Sequence, residues 1–157
     1  MSQRTDQYRA YLKATGTVAK TRQVVMLYDA AIRHLKQTSE AISQKRIEDR
    51  YKLTVKATEI ISALQSSIDF ENGGKLAGIL HGFYTGMFRR IVGLNFIKDA
   101  GESENQCNTI IEELKQMRQT WDTIDLSLGS NAPAASQPAS APTQQGKPDG
   151  DPVVISA

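Results

Sequence analysis

Few side chains of this sequence are of the types that perform chemistry, and none has the spacing that a reaction needs. The histidines are His34 and His81, and the cysteine is Cys107. A zinc site needs about four such ligands together, and a di-iron bundle needs Glu-x-x-His pairs, which neither histidine forms. Gly73-Gly74 lacks the remaining residues of a phosphate-binding loop. The sequence therefore predicts no enzyme, no metal site and no cofactor.

The composition is that of one small soluble domain. The chain has 157 residues, of which 39% are hydrophobic and 6% aromatic, with a net charge of +2, and this length allows a real core. A single cysteine cannot form an internal disulfide. No apolar run approaches the roughly 18 residues of a membrane span, and the first residues lack the apolar core of a secretory signal. We expect a cytoplasmic protein without membrane insertion.

Charge is unevenly distributed along the chain. Residues 1–22 hold five basic residues against Asp6, a net +4, whereas residues 23–128 hold 13 basic and 14 acidic residues, a net −1. Nucleic-acid backbones require clustered Lys and Arg. A nearly neutral body argues against nucleic acid as a partner.

Proline and hydrophobic periodicity divide the chain into three parts. All 5 prolines lie in the last 25 residues, where an Ala/Ser/Pro/Gln-rich composition predicts a disordered tail over 129–157. Residues 1–20 are expected to form a mobile arm. Between them, apolar residues recur at helical spacing over 21–44, 47–70, 75–98 and from a turn at 99–101 to 128, with Ser103 as the expected cap. Four such helices with short loops predict an all-α fold, an antiparallel four-helix bundle over 21–128.

The helix faces differ in width. Helices one and four confine their apolar side chains to a narrow stripe, as a core-only helix does. Helices two and three carry more apolar surface: Leu53, Ile60 and Leu64 lie about 100° from the Thr54, Thr58 and Ile61 line, and Tyr84, Phe88 and Val92 widen the arc of helix three. Two interpretations remain open: a broad stripe that serves two neighbouring helices, or a surplus that lines a groove for a partner segment.

A ladder of glycines follows the back of helix three. Gly78, Gly82 and Gly86 together forgo about 3 kcal/mol of helix propensity and fall behind the core face with Lys75 and Arg89. The ladder either admits a neighbouring backbone closely or is simply tolerated. Arg89-Arg90 either holds an acidic partner or has a structural role.

Four motifs in consistent order resemble one known family. Residues 25–33 (VMLYDAAIR) resemble the MLYDGAIR signature of the flagellin-specific export chaperones, the FliS family, and residues 83–91 (FYTGMFRRI) resemble its LYDYMxRRL. Residues 56–64 (KATEIISAL) look like KAxxIIxxL, and Asp69 with Gly73-Gly74 looks like the LDxxxGG break. The match spans about residues 5–125.

The resemblance implies a cytoplasmic bundle that binds the disordered C-terminal segment of flagellin. Such a chaperone blocks premature polymerisation and presents flagellin to the flagellar type III export apparatus, so export-gate components are further expected partners. In the family a tyrosine of the arm can cover part of the binding surface. The candidate partner-binding residues are Tyr8, Tyr11, Tyr28, Leu53, Ile60, Leu64, Tyr84, Phe88, Arg89 and Arg90.

Other functions remain open on the residues alone. The alternative is a helical-bundle adaptor or regulator that binds another amphipathic segment or self-associates. We expect a monomer or a weak homodimer.

Overall fold

The computed structural model describes residues 3–4, 6–7 and 21–131, with side chains as far as residue 126. The main elements in these ranges are helices: α1 (Thr21–Ser43), α2 (Ile47–Ser66), α3 (Gly74–Gly93), a 3-10 turn (Leu94–Phe96) and α4 (Ala100–Asn131). Most of the predicted arm, with Tyr8 and Tyr11, and the tail beyond Asn131 lie outside the described residues. The parts of the domain division that fall there stay predictions.

The loops between the helices explain where each helix stops. Lys45 has a left-handed φ of 54° and Gly74 has one of 56°, and glycine adopts that conformation without a Cβ penalty. In the α2–α3 loop the Asp69 carboxylate accepts hydrogen bonds from the backbone N–H groups of Glu71 and Asn72, each at 3.1 Å. This turn ends α2 at Ser66, four residues before the predicted end. The predicted break at Asn72-Gly73-Gly74 is confirmed.

The start of α4 differs from the sequence prediction. Asp99, rather than Ser103, caps the helix, because its carboxylate accepts the Glu102 backbone N–H at 2.7 Å. Ser103 is buried and its hydroxyl donates to the Leu94 carbonyl at 3.2 Å. The serine therefore ties α4 to the end of the preceding 3-10 turn.

The helices pack as the predicted antiparallel four-helix bundle. Helix α1 packs against both α2 and α4, and α2 packs in turn against α3. Helices α3 and α4 approach each other less closely. The predicted core line of α4 is buried along the described length of that helix, at Cys107, Ile110, Leu114, Met117, Trp121 and Ile124. The predicted line of α1 is buried at Val25, Tyr28, Ile32, Leu35 and Ile42.

The inward faces of α2 and α3 are rotated relative to the prediction. In α3 the core includes Tyr84, whereas Phe83 is only half-buried against it. In α2 the core joins both predicted lines, because Thr58 and Ile61 are buried together with Leu64. The apolar side chains of α2 that remain exposed consequently lie on another side of that helix than predicted.

Candidate partner-binding surface

Most of the exposed large hydrophobic side chains lie along one seam, between α2 and α3. Ten are exposed in the described part of the chain, and seven of them belong to these two helices and the turn after α3. Apart from Ile79, they form two rows with a spacing of four residues. The six are Ile47, Tyr51 and Val55 of the α2 row, and Phe88, Val92 and Phe96 of the α3 row. We call this surface the α2–α3 strip. Exposure ranges from 36% at Val55 to 78% at Phe96.

Helical spacing explains each row. Residues four apart are neighbours on a helix surface, so each row forms a continuous ridge. The α3 row continues past Gly93 because the 3-10 turn keeps Phe96 one turn beyond Val92. Both rows lie on the side of their helix that faces the other helix, away from the core residues Ile61 and Tyr84.

Hydrogen bonds between α2 and α3 fix how the rows are paired. The Asn95 amide donates to the Thr54 hydroxyl at 2.8 Å, and the Arg50 guanidinium donates to the Asn95 carbonyl at 3.1 Å. One end of the seam is thereby set beside the start of α2. At the other end the Gln65 amide donates to the Thr85 hydroxyl at 2.8 Å. These bonds place the two rows on either side of one shallow surface.

The candidate residues named from the sequence fall in three places. Phe88 lies in the strip, half-exposed. Leu53 and Ile60 are partly buried on the other side of α2, where Leu53 lines a polar cavity of about 380 Å³ between α1 and α2. Residues Tyr28, Leu64 and Tyr84 lie in the core, at 0%, 1% and 2% exposure. The groove predicted from the sequence therefore combines residues that lie in different places in the structure.

Five strip residues were absent from the predicted site. Sequence reasoning noted Val92 as surplus apolar surface but did not include Ile47, Tyr51, Val55 or Phe96. The sequence signal that could have identified them is a spacing of four residues. It occurs once at positions 47, 51 and 55 and again at positions 88, 92 and 96. That spacing predicts two ridges, but it identifies one surface only when α2 and α3 are known to be neighbours.

The two adjacent arginines have different surroundings. The Arg90 guanidinium lies 2.7 Å from the Glu113 carboxylate and so links α3 to α4. Arg89 is exposed and forms no ion pair within the described residues. Of the two interpretations of this pair, the structural one fits Arg90, and Arg89 is left available to a partner.

A second concave surface lies between α3 and α4. It encloses about 230 Å³ and its lining includes Arg4 of the N-terminal segment together with Phe83, Glu113, Gln116, Met117 and Thr120. The N-terminal segment therefore reaches the place where the two helices are least closely packed.

The reactive side chains do not form a catalytic arrangement. Burial raises the pKa of the Cys107 thiol to about 12, and the Sγ atom donates to the Leu35 carbonyl at 3.3 Å. A protonated, buried thiol is a packing group rather than a nucleophile. In the described ranges no cluster of three or more His, Cys, Asp or Glu could hold a metal. Nor is any helix of that part long and apolar enough to cross a membrane.

Comparisons with known proteins identify the same family as the sequence motifs. The family model described as "Flagellar protein FliS" matches residues 3–127. The "Flagellar secretion chaperone FliS" of Campylobacter jejuni is 27% identical over 118 residues, which are 74% of this chain and 89% of that protein. The "Flagellar secretion chaperone FliSB" of Pseudomonas aeruginosa is 29% identical over 66% of this chain and 79% of its own length. The "Flagellar secretion chaperone FliS" of Vibrio cholerae is 31% identical over 64% of this chain and 71% of its own length.

Proposed function

We propose that this chain, which belongs to the FliS family of flagellar secretion chaperones, binds the disordered C-terminal segment of flagellin in the cytoplasm. Binding would keep that segment from premature polymerisation and would hold flagellin ready for the flagellar type III export apparatus. The family supplies the class of protein. The specific client and its docking surface are the proposal.

The observation that carries this proposal is the α2–α3 strip. Large contiguous apolar patches on the surface of a soluble protein mark interaction sites. Fully burying one large apolar side chain contributes about 1.5–3 kcal/mol, and ordering a disordered segment costs about 2–5 kcal/mol or more. Six partly exposed side chains are therefore enough, in magnitude, to offset the ordering of a short amphipathic segment. A binding site made of apolar ridges also suits a client that has no fold of its own.

The α3–α4 cavity supports a second element of the proposal. Arg4 already lies at this cavity beside Phe83 and Met117, so the N-terminal segment occupies a surface that a client segment could use. We propose that a second part of the client segment docks in this cavity, and that the arm, with Tyr8 and Tyr11, competes with that part. Removal of residues 1–20 should then strengthen client binding rather than weaken it.

The test is binding of an isolated flagellin C-terminal segment, measured by isothermal titration calorimetry. The key variant is Phe88→Asp, which puts a charge into the centre of the strip. We expect it to weaken binding by roughly 100-fold, the effect of losing about 2.7 kcal/mol. The matched control is Ile79→Asp, because Ile79 is also exposed and lies on α3 outside the strip.

Two results would contradict the proposal. If the parent protein does not bind the flagellin segment, the client is wrong. If the parent binds, and Phe88→Asp and Ile79→Asp bind as tightly as the parent while circular dichroism shows both folded, the strip is not the docking surface.

A further inference from the structure

The edge of the strip formed by α3 carries positive charge without a counter-charge. Arg89 lies three residues before Val92, which makes the two neighbours on the helix surface. Lys98 follows Phe96 by two residues, and both basic side chains are exposed. Neither has an ion pair in the part of the chain that the structure describes, and α3 itself contains no Asp or Glu.

The edge formed by α2 carries an acidic side chain close to the strip. Glu59 lies four residues after Val55 and is exposed, with no ion pair within the described residues. Glu48, one residue after Ile47, is neutralised by Lys52 at 2.8 Å. Arg50 adds positive charge within the seam itself, where its guanidinium donates to the Asn95 carbonyl. The strip is therefore an apolar surface with Arg89 and Lys98 along its α3 side and Glu59 along its α2 side.

Such a surface distinguishes the two flanks of a helix that lies along it. An amphipathic helix with carboxylates on one flank gains attraction when that flank lies over Arg89 and Lys98. Reversing the direction of the same helix exchanges its flanks and brings the carboxylates beside Glu59, where like charges repel. Apolar burial is non-directional, so the charges supply the preference for one direction.

We propose that the α2–α3 strip binds an acidic-flanked amphipathic helix of the client, and that Arg89 and Lys98 set its direction. This inference rests on the proposed function, because the occupant is the flagellin segment. It assigns Arg89 a role that its neighbour Arg90 does not share, since Arg90 is already neutralised by Glu113.

The experiment is a charge reversal measured at two salt concentrations. The test variant is Arg89→Glu with Lys98→Glu. The control is Lys56→Glu with Lys75→Glu, which changes the net charge equally at two exposed lysines that also lack ion pairs in the described chain. Lys56 borders the α1–α2 cavity, and Lys75 lies on the back of α3. Affinity for the flagellin segment is measured at about 50 mM and about 500 mM salt, because exposed charges are strongly screened at the higher concentration.

We expect the test variant to bind roughly tenfold more weakly than the parent at low salt, and within about twofold of it at high salt. The control should stay within about twofold at both concentrations. A photo-crosslinker at Ser62, three residues before Gln65 and so near one end of the seam, should label one end of the client segment in the parent and both ends in the test variant.

The outcomes separate the inference from the function beneath it. If the test variant binds as the parent does while Phe88→Asp loses binding, the strip binds the client but the charges do not set the direction of the client helix, and the inference is wrong. Equal weakening of the control and the test variant also overturns it, because the effect is then one of net charge. If the parent binds no flagellin segment, the proposed function fails first and the inference falls with it.

Discussion

The hydroxyl groups of Tyr28 and Tyr84 meet at 2.9 Å in the buried core, and this hydrogen bond joins α1 to α3 across the bundle. Their rings lie 6.4 Å apart at an angle of 46°. The two tyrosines stand in two of the four motifs that resemble the family, at residues 25–33 and 83–91, so these motifs meet inside the protein rather than on a shared outer surface. Both side chains are almost fully buried, so each phenol hydroxyl needs a hydrogen-bonding partner within the fold.

Substituting these tyrosines should reveal coupling between them. We expect Tyr28→Phe and Tyr84→Phe each to lower the free energy of unfolding by about 1 kcal/mol, because each removes one partner of a buried hydrogen bond. The double variant should lose less than the sum, because both single variants remove the same hydrogen bond. Urea unfolding of the four proteins gives the coupling. Strict additivity would show that the bond contributes nothing beyond packing.

Filling the glycine ladder should stabilise the protein. An added Cβ at Gly78 or Gly82 meets no atom of the described residues within 4 Å, and alanine is a better helix former than glycine by about 1 kcal/mol. We expect Gly78→Ala with Gly82→Ala to raise the free energy of unfolding by about 1–2 kcal/mol with unchanged flagellin affinity. Thermal melting and calorimetry check the two parts. A gain in stability with a loss of binding would show that a partner backbone approaches this face.

Removing the cap of α4 should cost more than an ordinary surface change. Asp99→Ala deletes the acceptor for the Glu102 backbone N–H, and loss of such a cap costs about 1 kcal/mol, within a range of about 0.5–2. Asp99→Asn keeps an acceptor oxygen and should recover most of that loss. Denaturant midpoints of the two variants measure the difference. Equal loss in both would mean that the charge of Asp99 matters and its hydrogen bond does not.

The buried thiol of Cys107 should make the free energy of unfolding fall as the pH rises in the alkaline range. Folding raises the pKa of this thiol from its ordinary 9.0 to about 12, so above pH 9.0 the unfolded chain loses a proton that the folded chain keeps. The thiol contribution is therefore fully present below pH 9.0 and is lost as the pH rises towards 12. The slope is about 1.4 kcal/mol per pH unit.

Comparison of the parent with Cys107→Ala isolates this effect, because the tyrosines and lysines that titrate in the same range are common to both. The parent should lose stability more steeply between pH 9 and pH 10, and its thiol should stay unreactive to a disulfide reagent at pH 8 until the protein unfolds. A parallel decline in the two proteins would contradict the prediction.

The helix positions and much of the core could be predicted from the sequence because they depend on local periodicity. The line from Cys107 to Ile124 keeps helical spacing with few interruptions, so only one face of α4 could turn inward. The Asn72-Gly73-Gly74 break is equally local, since Gly74 adopts a left-handed conformation.

The binding surface could be predicted only in part because it depends on contacts between helices. Phe83 and Tyr84 are adjacent aromatic residues, and a rotation of 100° decides which one is buried. The sequence pattern alone does not show which of the two is buried. In the structure it is Tyr84, because its hydroxyl forms a hydrogen bond with the hydroxyl of Tyr28. Likewise, nothing in the Arg89-Arg90 pair indicates which arginine faces Glu113. The strip arises where two rows on separate helices come together.

The back of α3 has a consequence for hydrogen exchange. Among the described residues, nothing lies within 4 Å of where a Cβ would stand at Gly78, Gly82 or Gly86, and the same helix packs least closely against α4. Water can therefore reach the backbone amides and carbonyls of α3 more easily than those of α1, whose two sides are both packed. Local opening should be least costly in the helix that also presents Phe88 and Val92. The helix with the least protected backbone is thus one of the two on which a docked segment would lie, and its amide protection would rise on binding.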